Sequence, residues 1–304
     1  MNWLFPSFPA VALLAFVGCS SHKPAWVSDQ QWSESFHAYR GSKIDGQPIS
    51  MFLKQRTAVI LSGFSAAASK SVDQCLHLEF KPEPNSVLWC GHAAAIDTNG
   101  YFLTTAHCLD HPINYLVYSD GQSAGIAIPR IVAKVWDPSK NLDIAIIHVD
   151  AKLRDVFTLA DADEFHAGDP AIAVGSYEIT SLSSKRPNWS LLRAVCFAGQ
   201  ITSVAEPHAG TVFVCSDLPH REGDSGGPLV SKNGTLIGVH SGVGTGWFGK
   251  ARSVAIRPSH SWLAHIIEQD RQRLAHKPPL TLMPLTSFDN EKVGMVVWLN
   301  YEEQ

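Results

Sequence analysis

The 304-residue chain is short of charge, with 17% charged residues, and it has no basic excess: 24 Lys and Arg stand against 28 Asp and Glu, for a formal net charge of -4. A nucleic-acid partner or an anionic membrane surface recruits clustered cations, so both are excluded as expected partners. Internal repeats and low-complexity tracts are absent, and no apolar run is long enough to span a bilayer comfortably. Cysteines are few and even in total, six, with Cys19 set apart from Cys75, Cys90, Cys108, Cys196 and Cys215. With 45% hydrophobic residues the chain can bury a full core, as one two-barrel domain or two small ones, which excludes a disordered or fibrous protein.

Residues 1–18 form an apolar stretch broken by Pro6 and Pro9 and lacking Lys and Arg, which reads as an export signal and not as an anchor. Gly18 before Cys19 resembles the lipobox of bacterial lipoproteins. That resemblance implies acylation of the Cys19 thiol, and Ser20 after it resembles an outer-membrane sorting signal. The expected location is therefore the cell envelope, lipid-anchored, or else periplasmic or secreted. Export to an oxidising compartment lets disulfides persist. Cys90 and Cys108 flank a hairpin-like stretch and are the first expected bridge; Cys196 and Cys215, around a second hairpin, are the next, leaving Cys75 over.

Residues 19–56 read as a polar tether and extension. From Thr57 the texture becomes short apolar runs at intervals of about ten residues, such as Ala58–Leu61, Tyr101–Thr104, Ile144–Ile147, Ala171–Val174, Thr211–Val214 and Leu236–Val239. Asp97-Thr98-Asn99-Gly100 and Ser231-Lys232-Asn233-Gly234 read as hairpin turns. A helix capped by Ser259 is expected to run through Ala275, stopped by Lys277-Pro278-Pro279. This predicts an all-β body in two strand-rich parts, 57–167 and 168–275, the second ending in the helix. A tail, 276–304, follows, with a candidate strand at Val293–Leu299.

Three motifs carry chemistry. Gly223-Asp224-Ser225-Gly226-Gly227-Pro228 surrounds a serine with small residues, as a tight turn needs when a hydroxyl must stand clear and backbone N–H groups must approach a reacting oxygen. Thr105-Ala106-His107-Cys108 ends an apolar run with an imidazole, the base a serine hydroxyl requires. Asp143 heads the apolar run Ile144–Ile147, where a half-buried carboxylate can hold an imidazole's tautomer. Singly, each has a plain reading as a glycine turn, a structural histidine or a turn aspartate, with Asp137 and Asp150 nearby competitors.

Together, in the order His, Asp, Ser, they resemble the chymotrypsin-like serine peptidases over about residues 57–267. That resemblance implies two antiparallel β-barrels and a C-terminal helix. It also implies Ser225 as nucleophile, His107 as general base, Asp143 as its orienting carboxylate, and the N–H groups of Gly223 and Ser225 as the oxyanion hole. Cys90, 18 residues before Cys108, matches the spacing of the family's bridge around this histidine. The implied reaction is hydrolysis of peptide bonds through an acyl-enzyme, with protein or peptide substrates and neither cofactor nor metal.

The chain departs from the proteolytically activated members. No Ile or Val string lies at a suitable distance before Cys90 to form a new N-terminus that would pair with Asp224, so activity without propeptide cleavage is expected. The position that is Asp in trypsin-type pockets is Pro219 here. His240, in the pocket wall 236–242, resembles the glutamate-specific branch, and His220 falls near the opposite wall. Two imidazoles could hold a substrate carboxylate, or His240 simply packs. A catalytically idle binding module on the same fold is the alternative function; an esterase is a third, although the α/β-hydrolase nucleophile elbow is missing.

Overall fold

The computed structural model describes residues 43–69, 77–82, 89–110, 113–119, 124–176, 194–208, 211–218, 220, 223–245 and 251–275. Cys19, Cys75, Pro219 and the candidate strand at 293–299 lie outside them.

The described chain opens with a small hairpin, β1 (Lys43–Ile44) and β2 (Gln47–Pro48), then α1 (Ile49–Lys54). The first strand-rich part comprises β3 (Thr57–Ser62), β4 (Phe64–Ser69), β5 (His77–Pro82), β6 (Trp89–Asp97), β7 (Tyr101–Thr104), β8 (Ile113–Ser119), β9 (Ala124–Ala127), β10 (Arg130–Asp137) and β11 (Leu142–His148). Seven of these make one antiparallel sheet, in the order β10-β11-β7-β6-β3-β8-β9, while β4 and β5 pair as a separate hairpin. The second part comprises β12 (Pro170–Ser176), β13 (Ala194–His208), β14 (Thr211–Ser216), β15 (Pro228–Ser231), β16 (Leu236–Thr245) and β17 (Ala251–Arg257). These close into a six-stranded barrel, and α2 (His260–Ala275) follows. This is the all-β, chymotrypsin-like architecture with a terminal helix that the motifs imply.

Successive side chains of a strand point to opposite faces, and here both faces of several strands are buried, which is why their sequences run apolar without alternation. In β3, Ala58 and Ile60 join Phe102, Leu116, Ala145 and Ile147 inside the first sheet. Val59 and Leu61 face the other way, in a cluster with Ile144 and Ile146 of β11 and with Ile172, Val174, Leu236 and Val239 of the barrel. The barrel has its own filling around Phe165, Phe197, Val214, Leu229 and Ile237. Three apolar clusters, one inside each half and one between them, lock the halves together and define the seam where the candidate site lies.

Turn chemistry follows the sequence. Asp97 Oδ1 accepts the Asn99 N–H at 2.8 Å, and Gly100 takes φ +88°, a left-handed conformation natural to glycine. The Gly234 N–H donates to the Ser231 carbonyl at 3.0 Å. Ser259 Oγ accepts the Trp262 N–H at 3.1 Å, capping α2 as its sequence suggests. That helix is tied to the first sheet by Arg130, which grips Asp270 at 2.7 and 2.5 Å, and by Arg271, which holds both oxygens of Asp97 at 2.8 Å.

Neither expected bridge forms at the cysteines that are described, since Cys108, Cys196 and Cys215 carry no disulfide. Cys215 sits opposite Ser203, seven residues along β13 from Cys196, so about 20 Å of strand separates the two cysteines. A disulfide tolerates roughly 7 Å between Cα atoms. Cys108 turns its thiol inward, where the Thr105 hydroxyl reaches it at 3.1 Å and the Ser225 carbonyl lies 3.5 Å away. The Cys90 side chain is outside the described residues.

Candidate active site

Asp143 is the second residue of β11, and β11 pairs with β7, whose end leads directly into the short 3-10 helix His107–Leu109. Strand pairing therefore carries the carboxylate to the histidine. His107 Nδ1 lies 2.6 Å from Asp143 Oδ2, and the His107 backbone N–H donates to Asp143 Oδ1 at 3.0 Å. Asp143 is 2% exposed, so the carboxylate is shut off from water, and its oxygens need these donors. A third comes from the barrel: Ser241 Oγ donates to Asp143 Oδ2 at 2.6 Å. Burial acts to lower the His107 pKa, but the bond to Asp143, the nearby Cys108 thiol and the Asp143 charge override it, so the imidazole stands above its ordinary range.

Ser225 occupies the turn before β15, pinned from three sides. The His92 backbone N–H of β6 donates to the Ser225 carbonyl at 2.8 Å, and the Gly226 N–H donates to the His240 carbonyl at 2.7 Å. The His240 N–H returns a bond to the Gly227 carbonyl at 2.8 Å. Gly226 takes φ +79°, and a Cβ there would collide with the His92 carbonyl oxygen and the Thr104 hydroxyl, so glycine is required on two counts. The Cys108 contact to the Ser225 carbonyl sets the turn beside the segment bearing His107. Gly223 and Asp224 are both buried in the same turn.

The expected pocket histidines come together. The rings of His220 and His240 lie 5.5 Å apart and tilted. His240 is 1% exposed, its Nδ1 is 2.5 Å from Ser253 Oγ, and its Nε2 has no hydrogen-bond partner among the described residues; the same holds for His220 Nδ1. Burial first, then the charge of His107, brings His220 down to about 4. Burial, with His220 and His92 beside it, holds His240 well below the ordinary value. Both are neutral near pH 7.

Three further residues complete the site. Ser241, in the pocket-wall segment 236–242, turns its hydroxyl onto Asp143. Trp136, opposite Asp143 in the β10–β11 register, stands edge-on to the His107 ring with centroids 6.5 Å apart, and it is 47% exposed. His92, fully buried, reaches the Gly223 carbonyl with Nδ1 at 2.9 Å. Only the pairing partner of Trp136 could have been guessed from sequence, by counting back through the turn at 138–141.

No group of three or more His, Cys, Asp or Glu among the described residues is arranged to hold a metal ion, and no described helix is long and apolar enough to cross a membrane.

The chain is similar to a probable periplasmic serine endoprotease DegP-like of Halomonas elongata, 26% identical over 175 residues, covering 55% of this chain and 32% of that protein. It is similar also to the magnetosome formation protease MamE of Magnetospirillum gryphiswaldense, 24% identical over 165 residues, 54% of this chain and 20% of that one. The chain thus matches a third or less of the length of these curated relatives. Among solved structures, the HtrA-type protease AlgW with a tripeptide aligns at 18% identity and TM-score 0.48, over 74% of this chain and 64% of that one. The serine endoprotease of Yersinia pestis aligns at 18% and 0.46, over 76% and 68%. The family model described as Trypsin matches residues 65–262, well over half of the sequence, and by that match the chain belongs to the trypsin family of serine peptidases.

Proposed function

We propose that the chain is a serine endopeptidase in which the Ser225 hydroxyl attacks the scissile carbonyl. His107 Nε2 takes the hydroxyl proton and returns it to the leaving amine, while Asp143 holds the proton on Nδ1 and stabilises the imidazolium. The N–H groups of Gly223 and Ser225 would receive the oxyanion, and water then releases the acyl group. The observation that carries this reading is the 2.6 Å contact between His107 and a water-excluded Asp143 beside the glycine turn of Ser225. The test is labelling with a fluorophosphonate probe: wild type is expected to react and Ser225→Ala not to. Equal labelling of the two would favour the idle binding module.

The finer proposal is a preference for Glu or Asp before the cleaved bond. A Ser253 hydroxyl that donates to His240 Nδ1 puts the ring proton on Nε2, which has no partner among the described residues, and His220 offers a second unpartnered nitrogen. A substrate carboxylate would satisfy both and draw protons onto the two rings. Digestion of a peptide library decides this: acidic residues enriched before the cut support it, and their absence there overturns it.

Export to the envelope, with lipid attachment at Cys19, fits the leader-like residues 1–18 and the periplasmic names of the relatives. Mass spectrometry of the N-terminal peptide from the membrane fraction tests it; an unmodified Cys19 would leave a periplasmic or secreted enzyme.

A further inference from the structure

His92, in the first sheet, grips the nucleophile turn with its backbone and its side chain together. It lies in β6 opposite Val59 of β3, two residues before β6 begins to pair with β7 at Ala94. With that edge of β6 not taken by β7, the turn at 223–227 occupies it. The His92 backbone N–H holds the Ser225 carbonyl at 2.8 Å, and the His92 carbonyl accepts the Thr104 hydroxyl at 2.7 Å. Any residue but proline could supply those two. The imidazole adds a third bond, Nδ1 to the Gly223 carbonyl at 2.9 Å. A carbonyl can only accept, so Nδ1 carries the proton. Burial brings the ring down to about 4, so it is neutral near pH 7 and stays in that one tautomer, with Nε2 unpartnered among the described residues.

We infer that His92 is a positioning residue for the oxyanion turn, clamping the Gly223 carbonyl through its side chain and the Ser225 carbonyl through its backbone. This rests on the proposed role of the Gly223 and Ser225 N–H groups. The Ser225 N–H belongs to the peptide between Asp224 and Ser225. The peptides on either side of it carry the two clamped carbonyls, so the donor-bearing plane is suspended between two fixed ones. Gly223, at φ +94°, has no Cβ to restrict it, and rotation there would swing its own N–H away from a reacting oxygen. The imidazole supplies the restraint the glycine lacks. It touches no substrate; it acts through the turn.

The test compares His92→Asn with His92→Leu in the full chain, since the Asn side-chain nitrogen falls where Nδ1 does and can donate to the same carbonyl, whereas Leu cannot. Oxyanion stabilisation operates in the transition state, so His92→Leu is expected to lower kcat by about 10- to 100-fold with KM little changed, and His92→Asn to recover most of kcat. Equal losses in the two variants, a loss confined to KM, or a leucine variant as active as wild type would overturn the inference. A measurement on wild type guards against a leucine variant that does not fold. Nitrogen-15 NMR of the histidines, with His92 identified by its absence from His92→Asn, is expected to show the proton on Nδ1, and a proton on Nε2 overturns the clamp. Fluorophosphonate labelling of wild type keeps the two ideas apart. Without labelling of Ser225 the peptidase reading falls and takes this one with it. With labelling, the kinetics and the tautomer judge His92 alone.

Discussion

Ser241 Oγ and His107 Nδ1 both address the same oxygen of Asp143, Oδ2, each at 2.6 Å. The histidine comes from the 3-10 helix that follows β7 and the serine from β16 of the barrel, so the carboxylate is a tie between the two halves as well as a partner of the imidazole. Ser241→Ala leaves a buried charge short of one donor, and hydrogen bonds to charged groups contribute roughly 1.5–3 kcal/mol. We expect a lower melting temperature and a fall in kcat/KM of about tenfold, read by calorimetry and by peptide hydrolysis. Full activity with an unchanged melting temperature would show that the bond is incidental.

Asp143→Asn removes the charge that holds the His107 pKa up. On the scale seen when this carboxylate is neutralised in such triads, kcat should drop about 10⁴-fold. In wild type the activity rises with pH as His107 loses its proton, with a midpoint above the free-histidine value of about 6.5; in the variant that midpoint moves to lower pH. Stability carries the matching sign. A raised histidine pKa contributes stability fully below about pH 6.5 and loses it as pH rises through the folded value. Thermal melts of both proteins from pH 5 to 9 should therefore differ most at the acid end.

Gly226→Ala places a methyl group against the His92 carbonyl and the Thr104 hydroxyl, in a backbone conformation that L-residues avoid. The strain alone is on the order of 1–3 kcal/mol, and the clash adds to it. The expected outcome is a destabilised chain that the fluorophosphonate probe does not label. Labelling at the wild-type rate would mean that the turn has another geometry.

The buried histidines make acid a denaturant here. His92, with no exposure, is brought to about 4 by burial. The unfolded chain takes up its proton near pH 6.5 and the folded one does not, so stability declines as pH falls from about 6.5 toward 4, by roughly 3 kcal/mol for this ring alone. His92→Asn should flatten that acid decline relative to wild type in urea titrations at pH 7 and pH 4.5. An equally steep decline would assign the effect to other groups.

Much of the candidate site was legible because its motifs are local. Thr105-Ala106-His107-Cys108, Asp143 at the head of β11 and the glycine hexapeptide around Ser225 each occupy a few consecutive residues, and the turns at Asp97–Gly100 and Ser231–Gly234 likewise obey rules of adjacent backbone. The helix capped by Ser259 was readable for the same reason. The cysteines were not. Whether Cys196 meets Cys215 depends on the register of β13 against β14, and the strand pairs Cys215 with Ser203 instead.

What the sequence determined by itself was the all-β texture, the chemistry-bearing residue types and their order, because period, turn propensity and short motifs are properties of neighbours along the chain. What only the tertiary structure decided was which distant groups complete them: Ser241 on Asp143 across 98 residues, His92 on the turn of Ser225 across 131, and His220 beside His240. The first two contacts arise where the first sheet meets the barrel, and the third lies within the barrel half. Burial at that seam leaves each polar group to be satisfied by whatever the opposing half presents, and no local pattern records the choice.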